Sequence, residues 1–176
     1  MASNLDVMEI VRREVDLSSV NTVLDLGCGS FYKHPLKYEE HDLLYNLFKD
    51  KDITGVDMFE PNITWRNEHG PKGTYLLADM VTFDYNIKFD LILCHHSLEH
   101  LSIFDCNRVL EGIEKSFIKY AIIGGPIGYH DNSAHMSVTG NPHEQHKIGL
   151  HPFFFEKLGY RVFPIYPAFV AIKKRD

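Results

Sequence analysis

The sequence lacks the features that mark several large classes of protein. It has only three cysteines, Cys28, Cys94 and Cys106, and no C-x-x-C pair, so neither a disulfide framework nor a zinc ribbon is expected. No apolar stretch is long enough to span a bilayer. The first twenty residues carry charges where a signal peptide needs an unbroken apolar core. We therefore expect a cytoplasmic protein without a membrane-spanning segment.

Basic residues are also in the minority. Lysine and arginine number 18 against 24 aspartates and glutamates, which gives a formal net charge of -6. This balance provides no general attraction to phosphate backbones, so nucleic acid is disfavoured as a partner. With 44% hydrophobic residues and no repeat, the 176 residues predict a single domain. We expect a leading helix within residues 1–20 and an α/β core over residues 21–176.

The pattern of apolar residues predicts alternating strands and helices. Strands are expected at 21–26, 53–57, 74–78, 89–94 and 120–124, and helices from about 37 to 48, at 103–116 and at 152–158. Residues 61–73 contain several helix breakers, so mostly loop is expected there. The last apolar runs, 160–166 and 168–173, are separated only by Pro167 and must pair antiparallel. The expected fold is a mostly parallel seven-stranded sheet with a reversed C-terminal strand and helices on both faces.

Glycines and carboxylates gather at the carboxyl ends of the predicted strands. The first strand leads into Asp25, Gly27 and Gly29, the second ends at Asp57, and the third ends at Asp79. An open parallel sheet binds its ligand at this edge. Glycine lets the backbone approach a ligand closely, and a carboxylate after the second strand can accept hydrogen bonds from both hydroxyls of a ribose. A nucleoside is therefore the expected ligand.

Four motifs together resemble class I S-adenosylmethionine-dependent methyltransferases. They are VLDLGCG at 23–29, ITGVDMF at 53–59, YLLADM at 75–80 and FDLILCHHSLEHL at 89–101, in the order of the family. The resemblance implies a Rossmann-like methyltransferase fold, with S-adenosylmethionine as cofactor and S-adenosylhomocysteine as product. The cofactor-binding residues that it implies are Asp25, Gly27, Cys28, Gly29, Asp57, Met58, Asp79, Met80 and His95.

The same resemblance implies which part of the cofactor each motif contacts. The glycine turn borders the methionine part, Asp57 holds the ribose diol, and Met58 packs on the adenine. Asp79 accepts from the adenine amino group, and the backbone after the fourth strand lines the sulfonium side. Phe31 stands where the family commonly has a third glycine, and we expect its ring to turn away from the methionine tail.

Histidine is frequent, with 11 in the chain and five of them between residues 130 and 151. This loop follows the fifth strand, at the edge where the other strands end. Its N-P-x-E-x-H pattern at 141–146 resembles a loop found in many small methyltransferases. A neutral histidine can accept a proton near pH 7. We expect the loop to close over the acceptor and one of His96, His130 or His146 to act as general base.

Other interpretations of these histidines remain open. With Asp131 and Glu144 they could pack the loop or bind a divalent metal, but their spacings match no named metal motif. No metal ligand is therefore assigned. Glu99 and His100 stand at the start of a helical turn, and their expected role is structural.

The sequence thus predicts methyl transfer to a small-molecule acceptor through an oxygen or carbon nucleophile. Amino methylation of nucleobases is disfavoured because His95-His96-Ser97-Leu98 replaces the motif typical of that reaction. One alternative is an NAD-dependent oxidoreductase, although the G-x-G-x-x-G fingerprint fails and Asp57 lies too far after Gly27. A second alternative is a non-catalytic binding protein of the same fold.

Overall fold

The computed structural model describes residues 4–30, 42–132 and 139–175. The strands are β1 (Thr22–Leu26), β2 (Asp52–Asp57), β3 (Gly73–Leu77), β4 (Phe89–His95), β5 (Phe117–Pro126), β6 (Arg161–Ile165) and β7 (Ala168–Lys174). The helices are α1 (Asn4–Glu14), α2 (Leu43–Phe48), α3 (Glu60–His69), α4 (Ile103–Ser116) and α5 (Pro152–Lys157), with short 3-10 helices at Leu17–Ser19 and Leu98–His100. Within these ranges, none of the helices has the length and apolarity that crossing a membrane requires.

The strands form one seven-stranded sheet in the order β3-β2-β1-β4-β5-β7-β6. The first five strands pair in parallel, whereas β7 runs antiparallel to both β5 and β6. The expected sheet with its reversed C-terminal strand is therefore confirmed. The strand order changes direction between β1 and β4, so the loops that follow these two strands border a crevice at the carboxyl edge.

Helices cover both faces of this sheet because successive side chains of a strand point to opposite sides. On one face, Val23 and Leu91 pack in a core with α1, α2 and α3. On the other face, Leu24 and Ile92 pack with α4 and α5. The helices that follow β1 and β4 consequently lie on opposite faces, which keeps the crevice between the two strand ends open.

The helix predicted at 103–116 is confirmed with the same bounds. Ser102 caps it, because its Oγ accepts from the Asp105 N–H at 3.2 Å and donates to the Asp105 carboxylate at 2.6 Å. Its buried face carries Cys106, Val109, Leu110 and Ile113. This spacing of three and four residues between apolar side chains is the pattern that predicted the helix.

The loop expected at 61–73 is wrong, since α3 occupies most of this segment. Pro61 stands in the first turn of the helix, where its missing N–H costs no intrahelical hydrogen bond. The buried residues of α3 are Asn62, Ile63 and Arg66, so its inner face is largely polar. Hydrophobic periodicity could not detect such a helix, because two of its three buried side chains are hydrophilic.

Two expectations concern residues outside the described ranges. They are the orientation of the Phe31 ring and the first part of the helix expected from residue 37. The described part of that helix, α2, begins after Asp42, whose carboxylate accepts from the Leu44 N–H at 3.0 Å. The other elements agree with their predicted positions within a few residues; the largest difference is β5, which starts at Phe117 directly after α4.

Candidate functional site

β1 leads into a tight glycine turn at the crevice. Gly27 and Gly29 have φ angles of 72° and 53°, in the left-handed region that glycine adopts without strain. The N–H groups of Gly27 and Cys28 both donate to the Val56 carbonyl, at 2.8 and 3.0 Å. A Cβ atom on Gly27 would stand 2.3 Å from Ser97 Oγ, whereas one on Gly29 would have no neighbour closer than 3.8 Å. The turn is therefore packed tightly at Gly27 and open at Gly29.

Asp57, the last residue of β2, is bonded to this turn. Its Oδ2 accepts from the Gly29 N–H at 3.0 Å and from Asn62 Nδ2 at 3.1 Å. Its Oδ1 accepts from the Phe59 N–H at 2.8 Å. A carboxylate offers about four acceptor positions, so these three donors leave room for one more. Both hydroxyls of a ribose can bind Asp57 only if one of these three donors gives way.

Arg66 of α3 binds the carbonyl groups of the glycine turn. Its Nε donates to the carbonyls of Cys28 and Gly29 at 3.1 and 3.0 Å, and its Nη2 donates to Cys28 at 2.6 Å. Its Nη1 forms an ion pair with Asp42. Arg66 and Asp42 are only 5% and 3% exposed, so this pair is buried. Arg66 was not predicted as a site residue, although its separation of one helical turn from Asn62 was a usable signal.

Asp25 lies on the same face of the sheet as this ion pair. Burial raises the pKa of its carboxyl to about 7; the charge of Arg66 opposes the shift, and Asp42 and Asp57 add to it. An aspartate in an unfolded chain titrates near 3.9. Between about pH 4 and pH 7 the folded state therefore keeps a proton that the unfolded state has lost. Stability must fall as the pH rises through this window.

Substituting Asp25→Asn is expected to increase stability over wild type by an amount that grows with pH. Asparagine carries no charge, so it avoids burying a carboxylate, a cost that can reach about 4 kcal/mol for a shift of some three pKa units. Urea unfolding at pH 5, 6, 7 and 8 measures the difference. Asp52→Asn, at the exposed start of β2, is the matched control. A difference that is the same at every pH would contradict the assignment.

The side chains after β2 and β3 offer an apolar surface and a carboxylate. Met58 is 44% exposed next to Asp57. Asp79 and Met80 are half-buried, and Asp79 Oδ1 accepts from the Val81 N–H at 2.8 Å. The contacts of this region are those that a heteroaromatic base needs, namely an apolar face and an acceptor for its amino group.

The end of β4 is connected to the glycine turn by three consecutive residues, His95, His96 and Ser97. Burial lowers the pKa of His95 well below its ordinary value, which leaves its ring neutral. The ring of His96 stands nearly perpendicular to that of His95, with 4.5 Å between their centroids. Ser97 Oγ lies 3.2 Å from the His95 carbonyl and 3.4 Å from the Gly27 carbonyl, within reach to donate to either. The β4 end and the β1 turn therefore form one continuous wall.

Glu99, at the centre of the second 3-10 helix, is a completely buried carboxylate. Its backbone carbonyl accepts from the N–H groups of Lys147 and Ile148 at 2.8 and 3.3 Å. This attachment brings His146 beside His100, with their ring centroids 4.9 Å apart. The sequence analysis expected Glu99 and His100 to be structural and did not foresee that the histidine-rich loop joins them.

The three candidate bases occupy different surroundings. The side chain of His96 is 46% exposed and its Nδ1 lies 3.3 Å from Glu99 Oε1. His130 is exposed, with Nε2 at 2.8 Å from the Ile127 carbonyl. His146 is partly buried, and burial lowers its pKa. Of the three, His96 directly follows the strand that borders the crevice.

The loop contacts also bear on the metal interpretation of the sequence. Glu144 accepts from Thr139 Oγ1 at 2.6 Å and from Asn141 Nδ2 at 3.5 Å, so its carboxylate holds the loop together. In the part of the chain that the structure describes, the cluster with metal-ligand geometry consists instead of Glu99, His100 and His146. Glu99 and His100 lie outside the loop, so the spacing of the histidines within the loop could not reveal the cluster.

Comparisons with known proteins identify the family and the fold of the chain. A family model described as a methyltransferase domain matches residues 24–119. No curated protein sequence is detectably similar to this chain. Similar solved structures include magnesium protoporphyrin IX methyltransferase from Synechocystis PCC 6803 with bound S-adenosylhomocysteine, which is 13% identical with a TM-score of 0.64 and is matched over 98% of this chain and 82% of that one.

Two further structures give the same result. A SAM dependent methyltransferase from Archaeoglobus fulgidus is 19% identical with a TM-score of 0.64, over 98% of this chain and 95% of that one. The small RNA methyltransferase HEN1 is 19% identical with a TM-score of 0.65, over 99% of this chain but 25% of that one. At these identities the similarities show a shared fold.

Proposed function

The chain belongs to the methyltransferase domain family, and from that premise we propose that it methylates an oxygen or carbon atom of a small-molecule acceptor. Its cofactor is S-adenosylmethionine, and S-adenosylhomocysteine is the product. One observation carries the proposal of the cofactor pocket: the space over Gly29 is open, and Asp57, Met58 and Asp79 stand at the ends of β2 and β3, which run parallel beside β1. These groups supply the close backbone approach, the acceptors and the apolar face that an adenosine needs.

The proposed contacts follow the order of the strands. Asp25, Gly27 and Gly29 border the methionine part, Asp57 binds the ribose, and the residues after β3 meet the adenine. Cys28 is buried, its N–H is bonded to Val56 and its carbonyl to Arg66. Its proposed role is therefore to shape the turn rather than to donate to the cofactor.

The residues after β4 complete the proposed reaction site. When bound, the cofactor supplies a methyl group that its sulfonium sulfur has already activated. The protein has to align the acceptor with the S–CH₃ bond and keep water away. The bound cofactor would also be the leaving group, because its sulfur would keep the electron pair of the bond to the methyl carbon. We propose that His96 receives the proton that the acceptor loses, with His130 and His146 as the alternatives.

Charge supports a small acceptor over a nucleic acid. The formal net charge of -6 repels a phosphate backbone. HEN1 acts on small RNA, but the similarity covers only a quarter of that protein.

The alternative of a non-catalytic binding protein can be separated from the proposal by experiment. Only an enzyme converts the cofactor to S-adenosylhomocysteine.

Calorimetric titration with S-adenosylhomocysteine tests the cofactor site. We expect wild type to bind and Asp57→Ala to bind about 10- to 150-fold more weakly, or about 1.5–3 kcal/mol, because charge-assisted hydrogen bonds are lost. Asp52→Ala, at the exposed opposite end of the same strand, should bind like wild type. Melting curves show whether both variants fold. If wild type releases no heat with either form of the cofactor, the proposed function is wrong.

A further inference from the structure

Three buried polar atoms, one on each of three neighbouring residues at the edge of the crevice, have no hydrogen-bond partner. They are Glu99 Oε2, His100 Nδ1 and His146 Nδ1, and no other buried side-chain nitrogen or oxygen in the described ranges is unpartnered. Buried polar groups in folded proteins are almost always satisfied. Glu99 has no exposed surface at all, so solvent cannot satisfy it. The concentration of these atoms at one place indicates a missing ligand.

We propose that Glu99, His100 and His146 bind a divalent transition-metal ion of the zinc class. One ligand atom from each residue lies within 4.8 Å of the others. Bonds of about 2.0–2.2 Å in a tetrahedral zinc site put ligand atoms roughly 3.4 Å apart, so movements of about an ångström close the site. Two imidazoles and one carboxylate favour such an ion over magnesium or calcium, which prefer oxygen ligands alone.

Neighbouring groups already hold the three ligands in position. His96 contacts Glu99 Oε1 at 3.3 Å, which leaves Oε2 free to bind an ion. The N–H of His146 donates to Asn132 Oδ1 at 3.0 Å. The N–H of the next residue, Lys147, donates to the Glu99 carbonyl. Such outer contacts orient metal ligands in proteins.

Packing of the two histidine rings does not by itself account for the cluster. It explains the 4.9 Å separation of the His100 and His146 rings but leaves a buried carboxylate oxygen and two ring nitrogens unbonded. A cation satisfies all three atoms at once. It also balances the negative charge that Glu99 brings into the protein interior.

The ion would retain coordination positions that the protein does not fill. His100 and His146 are only partly buried, and three protein ligands leave a fourth position for water or an acceptor oxygen. This step rests on the proposed function: the acceptor carries an oxygen donor that binds the ion while its nucleophile faces the methyl group. His146 then acts as a metal ligand, which leaves His96 as the proposed proton acceptor and His130 as its alternative.

Metal titration of the purified, untagged protein tests this site without any assay of activity. After removal of metals with a chelator, we expect one equivalent of Zn²⁺ to bind by calorimetry and one equivalent of Co²⁺ to give a visible absorption spectrum. Glu99→Gln and His146→Gln should each weaken binding by about 100-fold or more. His151→Gln is the matched control, because this exposed histidine lies outside the cluster.

The outcomes separate the metal site from the proposed function. If all three variants bind Zn²⁺ as wild type does, the metal is held by surface histidines and the proposal is wrong. The same follows if His151→Gln weakens Zn²⁺ binding as much as the two cluster variants do. Glu99→Gln removes a buried charge and can impair folding, so His146→Gln, on the loop, decides the matter in that case. Binding of S-adenosylhomocysteine without Zn²⁺ binding refutes only the metal site. Zn²⁺ binding without cofactor binding refutes only the proposed function.

Discussion

Substituting Arg66→Met is expected to destabilise the protein by about 3–5 kcal/mol, because it leaves a buried carboxylate without its partner. Arg66 is the buried ion-pair partner of Asp42 and the donor to the carbonyls of Cys28 and Gly29. For a chain of this size the melting temperature should fall by about 6–20 °C. Urea unfolding and thermal melts measure both quantities.

A second substitution separates the buried charge from the other contacts. Asp42→Asn removes the charge but keeps an oxygen that can accept from Leu44 at the start of α2. The double variant Arg66→Met, Asp42→Asn should therefore be more stable than Arg66→Met alone. Asp42→Asn can instead lower the free energy of unfolding as much in the Arg66→Met variant as in wild type. In that case the two side chains are not coupled and the ion pair does not stabilise the turn.

Both Arg66→Met and the double variant should bind the cofactor more weakly than wild type. The glycine turn loses the donors that fix its carbonyl groups, whatever happens to Asp42. Calorimetry with S-adenosylhomocysteine checks this part. Wild-type affinity in the stable double variant would show that the turn holds its shape without Arg66.

Substituting His96→Asn is expected to slow methyl transfer by about 10²–10⁴-fold while cofactor affinity changes little, because a general base contributes a factor of that size. Asparagine is the suitable replacement, since His96 has a φ of 55° and asparagine tolerates this left-handed conformation. Single-turnover transfer of a labelled methyl group measures the rate. The acceptor comes from a screen of phenols, carboxylic acids and carbon acids.

The variants His96→Asn, His130→Asn and His146→Asn together identify the base. The control is His151→Asn, at an exposed position outside the site, which should transfer methyl groups at the wild-type rate. The large loss should appear in His96→Asn and not in His130→Asn. Loss in His130→Asn alone would move the role of base to that residue. Wild-type rates in His96→Asn, His130→Asn and His146→Asn together would mean that alignment suffices and no histidine takes the proton.

The local parts of the molecule were predictable because their signals are short. The helix at Ile103–Ser116 has its cap and its buried stripe within fifteen consecutive residues, and its bounds were predicted correctly. The reversed C-terminal strand followed from the single residue, Pro167, between the two predicted apolar runs, and the observed strands β6 and β7 are separated by only two residues, too few for a parallel connection. Each of these features depends on neighbours in the chain.

The interior of α3 was not predictable in the same way. Two of its three buried side chains, Asn62 and Arg66, are polar because they face Asp57 and the glycine turn rather than an apolar core. A pattern of hydrophobic residues cannot indicate a helix whose inner face binds backbone carbonyls and a carboxylate. Those polar residues find their partners only when α3 packs beside the end of β2 and the turn that follows β1.

The sequence by itself determined where the strands lie along the chain, which carboxylates stand at their ends and the membership of a methyltransferase family, because these features follow from local pattern and motif. The tertiary structure decided which of the histidines meet. Glu99 and His100 are adjacent in the chain, but His146 reaches them only through hydrogen bonds from the following residues to the Glu99 carbonyl. Such contacts between distant segments depend on how the loop after β5 folds back over the sheet edge, which no spacing within one segment records.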